Sequence, residues 1–257
     1  MSLPALFLSH GAPTLANANN EFTHAWSELG CVLGRPASIL MVSAHWDTPS
    51  PSLTQAPLLT TIHDFHGFPP ELYKIRYEPP GAPALARRAA ELLQGAGYAV
   101  AGDPARGIDH GGWVPLRWMY PDADIPVVQL SVQSSLGARH HVDLGRALSP
   151  LVNEDVLVIG SGGIVHNLRE LDWANSGAVT PWARAFNDWV VEKVAAGSAD
   201  DLADYRRLAP EAHRAQPTEE HMVPFHVAMG AGGFPARRIK LGFDLGSLGM
   251  DAYAFGG

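Results

Sequence analysis

Apolar residues along the chain follow two patterns, short continuous runs and longer segments with helical spacing. The runs are "ALFLS" (5–9), "SILMVSA" (38–44), "IPVVQLSV" (125–132) and "DVLVIGS" (155–161). Continuous rather than alternating apolar runs of this length are typical of strands that are covered on both faces of a sheet. They predict the central strands of an α/β protein.

Two segments outside these runs have the composition of covering helices. "APALARRAAELLQGAG" (82–97) places its leucines on one face, and "PWARAFNDWVVEKVAAG" (181–197) begins with proline and ends with glycine. The proline-rich stretch 48–81 is too irregular for a long helix, and it predicts a short strand or two with a surface loop that could wall a pocket. Because the chain contains no internal repeat or linker, we expect one α/β domain over residues 1–257. Its central sheet should be mostly parallel or mixed, with helices on both faces.

Composition narrows the possible partners. The chain has 257 residues, of which 46% are hydrophobic, and a formal net charge of -8 without a basic run. These values predict a sizeable core and a small-molecule partner rather than nucleic acid or a membrane. Cys31 is the only cysteine, so a metal would have to be held by histidines and carboxylates, and a reducing, cytoplasmic location is expected. The N-terminal stretch predicts no signal peptide, and no apolar run approaches the length of a membrane span.

Histidines follow three of the predicted strands. "LFLSHGAP" places His10 after the first run, "SAHWD" places His45 after the second, and "VIGSGGIVHN" leads through a glycine turn to His166. Side chains beyond the carboxyl ends of parallel strands face a shared crevice. A single histidine in such a position is more often structural, but three of them predict a site.

Two further stretches carry histidines and carboxylates. "TEEHMVPFHVAMG" offers Glu220 and His221 as ligands, whereas His226 lies in an apolar helical segment and is expected to be buried core. "GIDHGGW" places His110 in a glycine turn, where a turn residue and a functional one are equally expected. Imidazoles with or without one carboxylate bind non-haem Fe(II) and also catalytic zinc. Spacing alone does not choose between Glu220 and His221.

Together these stretches resemble one enzyme family along nearly the whole chain. The segments "LFLSHGAP", "SAHW", "TIHDFHGFP", "DHGGWVPLRWMYPDADIPVVQLS", "GSGGIVHNL" and "EEHMVP" occur in the family's order. They are similar to the single-chain class III extradiol dioxygenases of the DOPA-dioxygenase type, which are relatives of the LigB catalytic subunit. The resemblance implies a LigB-like α/β fold and an enzyme that opens the ring of a DOPA-like catechol with dioxygen, as in the catabolism of aromatic compounds.

The resemblance also implies a metal site. The family's ligands match His10, His45 and His221, and Fe(II) is the expected metal, although Zn(II) can occupy such a site in purified protein. Glu219 and Met222 stand where the family has Pro and Tyr beside the third ligand. More distant relatives use a glutamate there, which keeps Glu220 as the alternative.

Roles for the remaining residues follow from the same resemblance. His166 matches the acid/base histidine, and His110 matches a histidine that contacts substrate or shares proton transfer. An imidazole that titrates near neutral pH suits removal and return of a phenol proton. The substrate ring is expected against aromatic side chains, namely Trp46, Phe65, Phe68 and Trp113. His66 stands where relatives have glycine and is expected only to line the loop.

Two other hypotheses share this site. The same imidazoles bind Zn²⁺ at least as well as Fe²⁺, so a zinc-dependent hydrolase is the first alternative. A metal-binding scaffold without catalysis is the second. His110 and His166 disfavour the scaffold, because a metal site alone does not need them.

Overall fold

The computed structural model describes residues 2–174 and 176–256, and a mixed eight-stranded sheet forms its centre. The strands are Ala5–Ser9 (β1), Ser38–Asp47 (β2), Ser52–Thr54 (β3), Ala101–Asp103 (β4), Val127–Val132 (β5), Val156–Gly162 (β6), Ala236–Ile239 (β7), Phe243–Asp244 (β8), Leu248–Gly249 (β9) and Ala252–Phe255 (β10). Strands β8 and β9 form a separate pair, and the others have the order β4-β3-β5-β2-β6-β1-β10-β7.

The helices alternate with the strands along most of the chain. The α-helices are Glu21–Leu33 (α1), Pro83–Gly95 (α2), His110–Met119 (α3), Gly137–Leu148 (α4), Pro181–Ala195 (α5), Ala199–Ala203 (α6), Tyr205–Leu208 (α7), Ala212–Ala215 (α8) and Val223–Gly232 (α9). Short 3-10 helices occupy Pro13–Ala16, Leu72–Lys74, Ser134–Leu136, Ser149–Asn153 and Leu168–Glu170. No helix within the described ranges is both long and apolar enough to cross a lipid bilayer.

Four parallel strands form the middle of the sheet. Strands β5, β2, β6 and β1 pair in parallel, and β3 and β10 flank them in antiparallel orientation. These four are the continuous apolar runs of the sequence, and they are buried on both faces because helices cover both sides. The predicted α/β fold with a mixed sheet and two covered faces is confirmed.

Alternate residues of the central strands pack into different helical layers. On one face Ile39 and Met41 join a core with α1 and α3, whereas Leu40 and Val42 pack on the other face against α2, α4 and α9. A third cluster extends the second layer, where Phe7 packs with residues from α5 to α8. The parallel strands are thereby held rigidly from both sides, and their carboxyl ends share one edge.

Strand β2 differs from its prediction in a way that matters for the site. It was predicted to end before His45, but it continues to Asp47. Its pairing with β6 ends at Ser43, and its register against β5 shifts between Val42 and Asp47. His45 therefore lies in an irregular segment of strand, where the backbone can turn a side chain toward a neighbouring site.

Candidate active site

A cavity of about 460 Å³ is walled in part by the carboxyl-terminal end of β2 and by the segments that follow β1 and β6. This volume lies within the range of small-molecule sites. The residues that line it are His10, Gly11, Ala12, Pro13, His45, Asp64, Phe65, His66, Phe68, His110, His166, Leu168, Leu171, Trp173, Glu220, His221, Leu245 and Leu248. The structure thus brings together all five histidines that the sequence assigned to a metal or to catalysis.

His10 is positioned by the sharp turn that ends β1. Its backbone N–H donates to the Gly162 carbonyl at 3.0 Å, which ties the residue to the end of β6. Gly11 has a φ of +63°, and a Cβ atom there would come within 2.6 Å of Leu15 and 2.8 Å of Met250. The positive φ favours glycine at this turn, whereas the ends of the Leu15 and Met250 side chains could shift to admit a Cβ atom.

His45 is supported from behind by a buried polar network. Its backbone N–H donates to Ser43 Oγ at 3.2 Å, and that hydroxyl donates to Asp109 at 2.6 Å. Arg106 donates to Asp109 at 2.9 Å, and Gln129 donates to the same carboxylate. Since a buried carboxylate is costly unless it is paired, this network holds the Asp109 side chain in place beneath the site.

His221 reaches the cavity because α9 packs closely against β6. Gly163 N–H donates to the His221 carbonyl at 2.9 Å, and a Cβ atom on Gly162 would lie only 2.0 Å from that oxygen. At the other side of the helix, α9 contacts α4 through Gly145 and Gly230. The absence of side chains at these glycines lets the backbones approach and fixes the position of His221.

The rings of His10, His45 and His221 are each oriented through Nδ1. Ser161 Oγ donates to a backbone carbonyl at 2.5 Å, so the same oxygen accepts from His10 Nδ1 at 2.9 Å. His45 Nδ1 lies 3.4 Å from a carboxylate oxygen of Asp64, and His221 Nδ1 donates to Glu220 at 3.1 Å. With the proton on Nδ1, each Nε2 presents a lone pair.

The Nε2 atoms face one another instead of protein acceptors. His10 Nε2 and His45 Nε2 are 3.0 Å apart, and His221 Nε2 is buried with no hydrogen-bond partner among the described residues. The ligand nitrogens of the three residues lie within 4.8 Å of one another. A buried, unpartnered imidazole nitrogen is costly, and a cation between the three would satisfy all of them. The donor set therefore fits a divalent metal.

Two other groups of three lie within the same distance, His45 with Asp64 and His110, and His166 with Glu220 and His221. Their carboxylates already accept from the Nδ1 atoms of neighbouring histidines. The Glu220 carboxylate also accepts from Thr218. Both contacts of Glu220 fall on its Oε1 atom, which orients the His221 ring.

Burial keeps these imidazoles neutral. It lowers the pKa of His10 and of His221 well below the usual range, and the neighbouring histidines add to the effect. The pKa of His45 is lowered to about 3, mainly by burial and then by His110, against the opposing charge of Asp64. Burial opposes ionisation of Asp64, but His110 and His45 outweigh it and lower the pKa of this carboxyl to about 2. The site is thus built of neutral ligands and an ionised carboxylate.

His110 and His166 flank the three converging rings. The centroid of the His110 ring lies 4.0 Å from that of His45, and its Nδ1 and its backbone N–H donate to Asp64 at 2.9 and 3.0 Å. The His166 ring stacks on His221 at 3.4 Å, and burial lowers the pKa of His166 to about 4. Both flanking imidazoles line the cavity within reach of a bound molecule.

Two predicted pocket residues do not line the cavity. Trp46 follows His45 in the strand, so its side chain turns away and packs under the Arg106 guanidinium, 4.5 Å from the ring centroid. Trp113 is fully buried in the core, where its indole N–H donates to Ile62 at 2.9 Å. The prediction that these tryptophans bind substrate is corrected accordingly. Phe65, Phe68 and His66 do line the cavity.

Sequence reasoning missed Asp64 and Ser161, which orient the cavity histidines. Asp64 lies in the quoted segment "TIHDFHGFP", but no periodic pattern singles out one carboxylate within an irregular stretch. It also missed the apolar residues at the mouth of the cavity, among them Leu168 and Trp173. These residues are recognisable by their exposed apolar side chains, and exposure is known only once the fold is known.

Comparison with known proteins agrees with this geometry. Residues 4–255 match the family model described as the catalytic LigB subunit of aromatic ring-opening dioxygenase. The chain is 44% identical to a 4,5-DOPA dioxygenase extradiol of Beta vulgaris, over 97% of this chain and 95% of the relative. It is 42% identical to a protein of the same description from Escherichia coli K12, over 96% and 93%. The crystal structure of an uncharacterised Escherichia coli K12 protein superposes with a TM-score of 0.82 at 36% identity, covering 99% of this chain and 100% of that one.

The relatives agree with the first of the three functional hypotheses and not with the hydrolase or the scaffold. The match extends over nearly the whole chain and includes the segments that carry the five cavity histidines. The chain therefore belongs to the LigB family and is an extradiol aromatic ring-opening dioxygenase.

Proposed function

We propose that His10, His45 and His221 hold Fe(II), and that the enzyme uses it to open the ring of a catechol with dioxygen. The observation that carries this proposal is the convergence of three neutral Nε2 atoms, each with its Nδ1 engaged elsewhere. Iron is favoured over zinc because the reaction of the family consumes dioxygen, and zinc has no redox chemistry. Zn(II) competes for the same imidazoles and can replace iron in purified protein.

Held by His10, His45 and His221, Fe(II) would supply the redox chemistry with dioxygen that ring opening requires. The chain itself supplies proton transfer. Burial lowers the pKa of His166 to about 4, so the imidazole is neutral at physiological pH and has a free lone pair, but it is a weaker base than the near-neutral imidazole that the sequence predicts. We assign His166 as the acid/base residue and His110, held by Asp64, as a second group that contacts the substrate or shares the proton.

The substrate is proposed to be a catechol that enters with its hydroxyl groups toward the histidines and its ring beside Phe65 and Phe68. DOPA is the first compound to test, since the relatives are described as 4,5-DOPA dioxygenases. We place the enzyme in the breakdown of aromatic compounds. We also propose a reducing, cytoplasmic location, with which the free, exposed thiol of Cys31 agrees.

The test begins with metal analysis of protein purified anaerobically. The same sample, loaded with Fe(II), is then mixed with DOPA and simple catechols while oxygen consumption and the visible spectrum are recorded. About one metal per chain, oxygen uptake and a new yellow product are the expected results. Turnover that persists with Zn(II) and without oxygen would overturn the proposal, as would bound iron without uptake for every catechol tested.

A further inference from the structure

The cavity is lined by a sixth histidine, His66, which differs from the other five. His66 is exposed to solvent, whereas the other five are buried or half-buried. Each of those five has a hydrogen bond or a stacking contact of its ring within the cluster. Within the described part of the chain the His66 ring has neither. Both of its ring nitrogens are therefore available to a bound molecule.

The chain that leads to His66 is held in place. Two residues before it, the Asp64 carboxylate accepts two hydrogen bonds from His110, at 2.9 and 3.0 Å. Phe65, the residue between them, is buried, and its carbonyl accepts from the Tyr73 hydroxyl at 3.4 Å. Because these neighbours are anchored without a ligand, a molecule that binds the His66 imidazole fixes one side chain rather than a loop. This limits the entropy that binding costs.

Few side chains outside the histidine and carboxylate cluster can bind a polar group of a ligand. No lysine or arginine is among the described residues that line the cavity. The side-chain donors that remain there are the imidazole of His66 and the indole N–H of Trp173. An imidazole can donate from either ring nitrogen and is a cation when protonated, whereas an indole has one neutral donor. His66 is thus the lining side chain best suited to bind an anionic group.

We propose that His66 is a specificity-determining residue, and that its imidazole donates a hydrogen bond to a carboxylate on the substituent of the catechol. The inference rests on the proposed function, in which the catechol hydroxyls point toward the histidine cluster. With that orientation, a substituent on the opposite side of the ring points toward the solvent, where His66 is exposed. DOPA, the first compound proposed for this enzyme, carries such a carboxylate.

The experiment varies the charge of the substituent on one ring. 4-Propylcatechol, dopamine and 3-(3,4-dihydroxyphenyl)propanoate have side chains of similar length that are neutral, cationic and anionic. In the iron-loaded His66→Ala variant, kcat/KM for the propanoate should fall about fivefold, the upper range for an exposed charged contact. The values for 4-propylcatechol and dopamine should change by less than about twofold. The loss should lie in KM with kcat unchanged, because the contact is the same before and during the reaction.

Three further variants locate the effect. His66→Gln keeps a side-chain N–H donor, so its loss for the propanoate should be smaller than that of His66→Ala. His24→Ala is the matched control, since it removes another exposed imidazole, on α1 and outside the cavity, and it should leave all three substrates unchanged. Trp173→Phe removes the other donor of the wall and should change the propanoate and 4-propylcatechol by the same factor.

Binding gives a readout that does not depend on turnover. Without dioxygen the ring is not opened, so calorimetric titration of the iron-loaded protein under argon measures Kd for each catechol. His66→Ala should raise Kd for the propanoate about fivefold and leave that for 4-propylcatechol unchanged. The iron content of this variant should equal that of the parent chain, because His66 is not among the three converging ligands.

The outcomes separate this inference from the proposed function. If no catechol binds or is consumed by the parent chain, the proposed function itself fails. If catechols are consumed but His66→Ala changes all three substrates by the same factor, the function stands and the role of His66 is wrong. A loss confined to the propanoate in Trp173→Phe, and absent in His66→Ala, would identify the indole as the determinant instead.

Discussion

Two pairs of histidines in this protein are both buried and both have lowered pKa values, but they differ in the partner of the second ring nitrogen. His141 and His226 are enclosed in the helical layer, and burial lowers the pKa of the first to about 3 and of the second to about 4. His141 Nδ1 donates to Gly137 at 2.7 Å, and its Nε2 accepts from Gln133 at 3.1 Å. His226 places its nitrogens against two backbone carbonyls, at 3.1 and 3.0 Å, and as a neutral imidazole it donates to one of them.

In the cavity, His10 and His221 are equally buried, and burial likewise lowers the pKa of each. Their Nδ1 atoms bond to protein groups, but their Nε2 atoms point toward other histidines. Burial and a lowered pKa alone therefore do not identify a functional histidine. What identifies such a histidine is a second ring nitrogen that points away from protein partners, because only an external ligand can bind it.

The largest effect is expected when one cavity histidine is replaced and the result is compared with replacement of an enclosed histidine. His10→Ala, His45→Ala or His221→Ala should abolish stoichiometric iron binding and with it ring opening, since two imidazoles hold the metal too weakly. His226→Gln should retain both metal and turnover. Metal content by elemental analysis, measured beside oxygen uptake, checks both halves. Normal iron content in any of the three alanine variants would exclude that residue as a ligand.

A second variant separates metal binding from proton transfer. His166→Ala should keep about one iron per chain and reduce kcat by roughly 10²- to 10⁴-fold, because a general acid/base contributes about that much. The His166 ring stacks on His221 but is not among the three converging ligands, which is why metal should remain. Loss of iron from this variant would contradict the acid/base assignment.

The sequence predicted the middle of the sheet and the cavity histidines for the same reason. Strands covered on both faces have continuous apolar runs, and residues after their carboxyl ends meet at one edge, so His10 could be placed without coordinates. The short outer strands β3 ("SLT") and β4 ("AGD") carry no such pattern. Their pairing depends on tertiary contacts that spacing does not encode.

The partners of the histidines were beyond sequence reasoning. Asp64 arrives from an irregular stretch and meets His110 only through the fold, 46 residues apart in the chain. Trp46 was misassigned because adjacency to His45 suggested a shared pocket, whereas neighbouring residues of a strand point to opposite faces. Local sequence patterns therefore predict that a site exists. The residues that line it are determined by contacts between distant parts of the chain.

Asp64 offers a way to sharpen the comparison, because it supplies the Nδ1 contact that leaves His45 Nε2 free. Asp64→Asn keeps the shape but loses the charge, and it should lower iron affinity or kcat/KM by about 10- to 100-fold. The matched control is Asp124→Asn, which removes a carboxylate paired with Arg35 at the surface. Iron titration and steady-state kinetics on both variants are the measurements. Equal behaviour of the two variants would mean that Asp64 is not a positioning residue.

The smallest effect on turnover, and a distinct effect on stability, is expected from the enclosed histidine His226. Its pKa is about 4 in the folded chain and near 6.5 in the unfolded chain, so between these values the unfolded state binds more protons. The free energy of unfolding should therefore fall as the pH decreases from 6.5 toward 4, and His226 should account for roughly 2 kcal/mol of the loss between pH 7.5 and pH 5. In His226→Gln this pH-dependent loss should be smaller by that amount. Urea unfolding of metal-free protein at the two pH values measures it, and His24→Gln, at an exposed position of α1, should behave as the parent chain. Parallel pH profiles for the parent and the His226 variant would show that burial does not keep this imidazole neutral. The two pairs of histidines would then differ only in their hydrogen bonds.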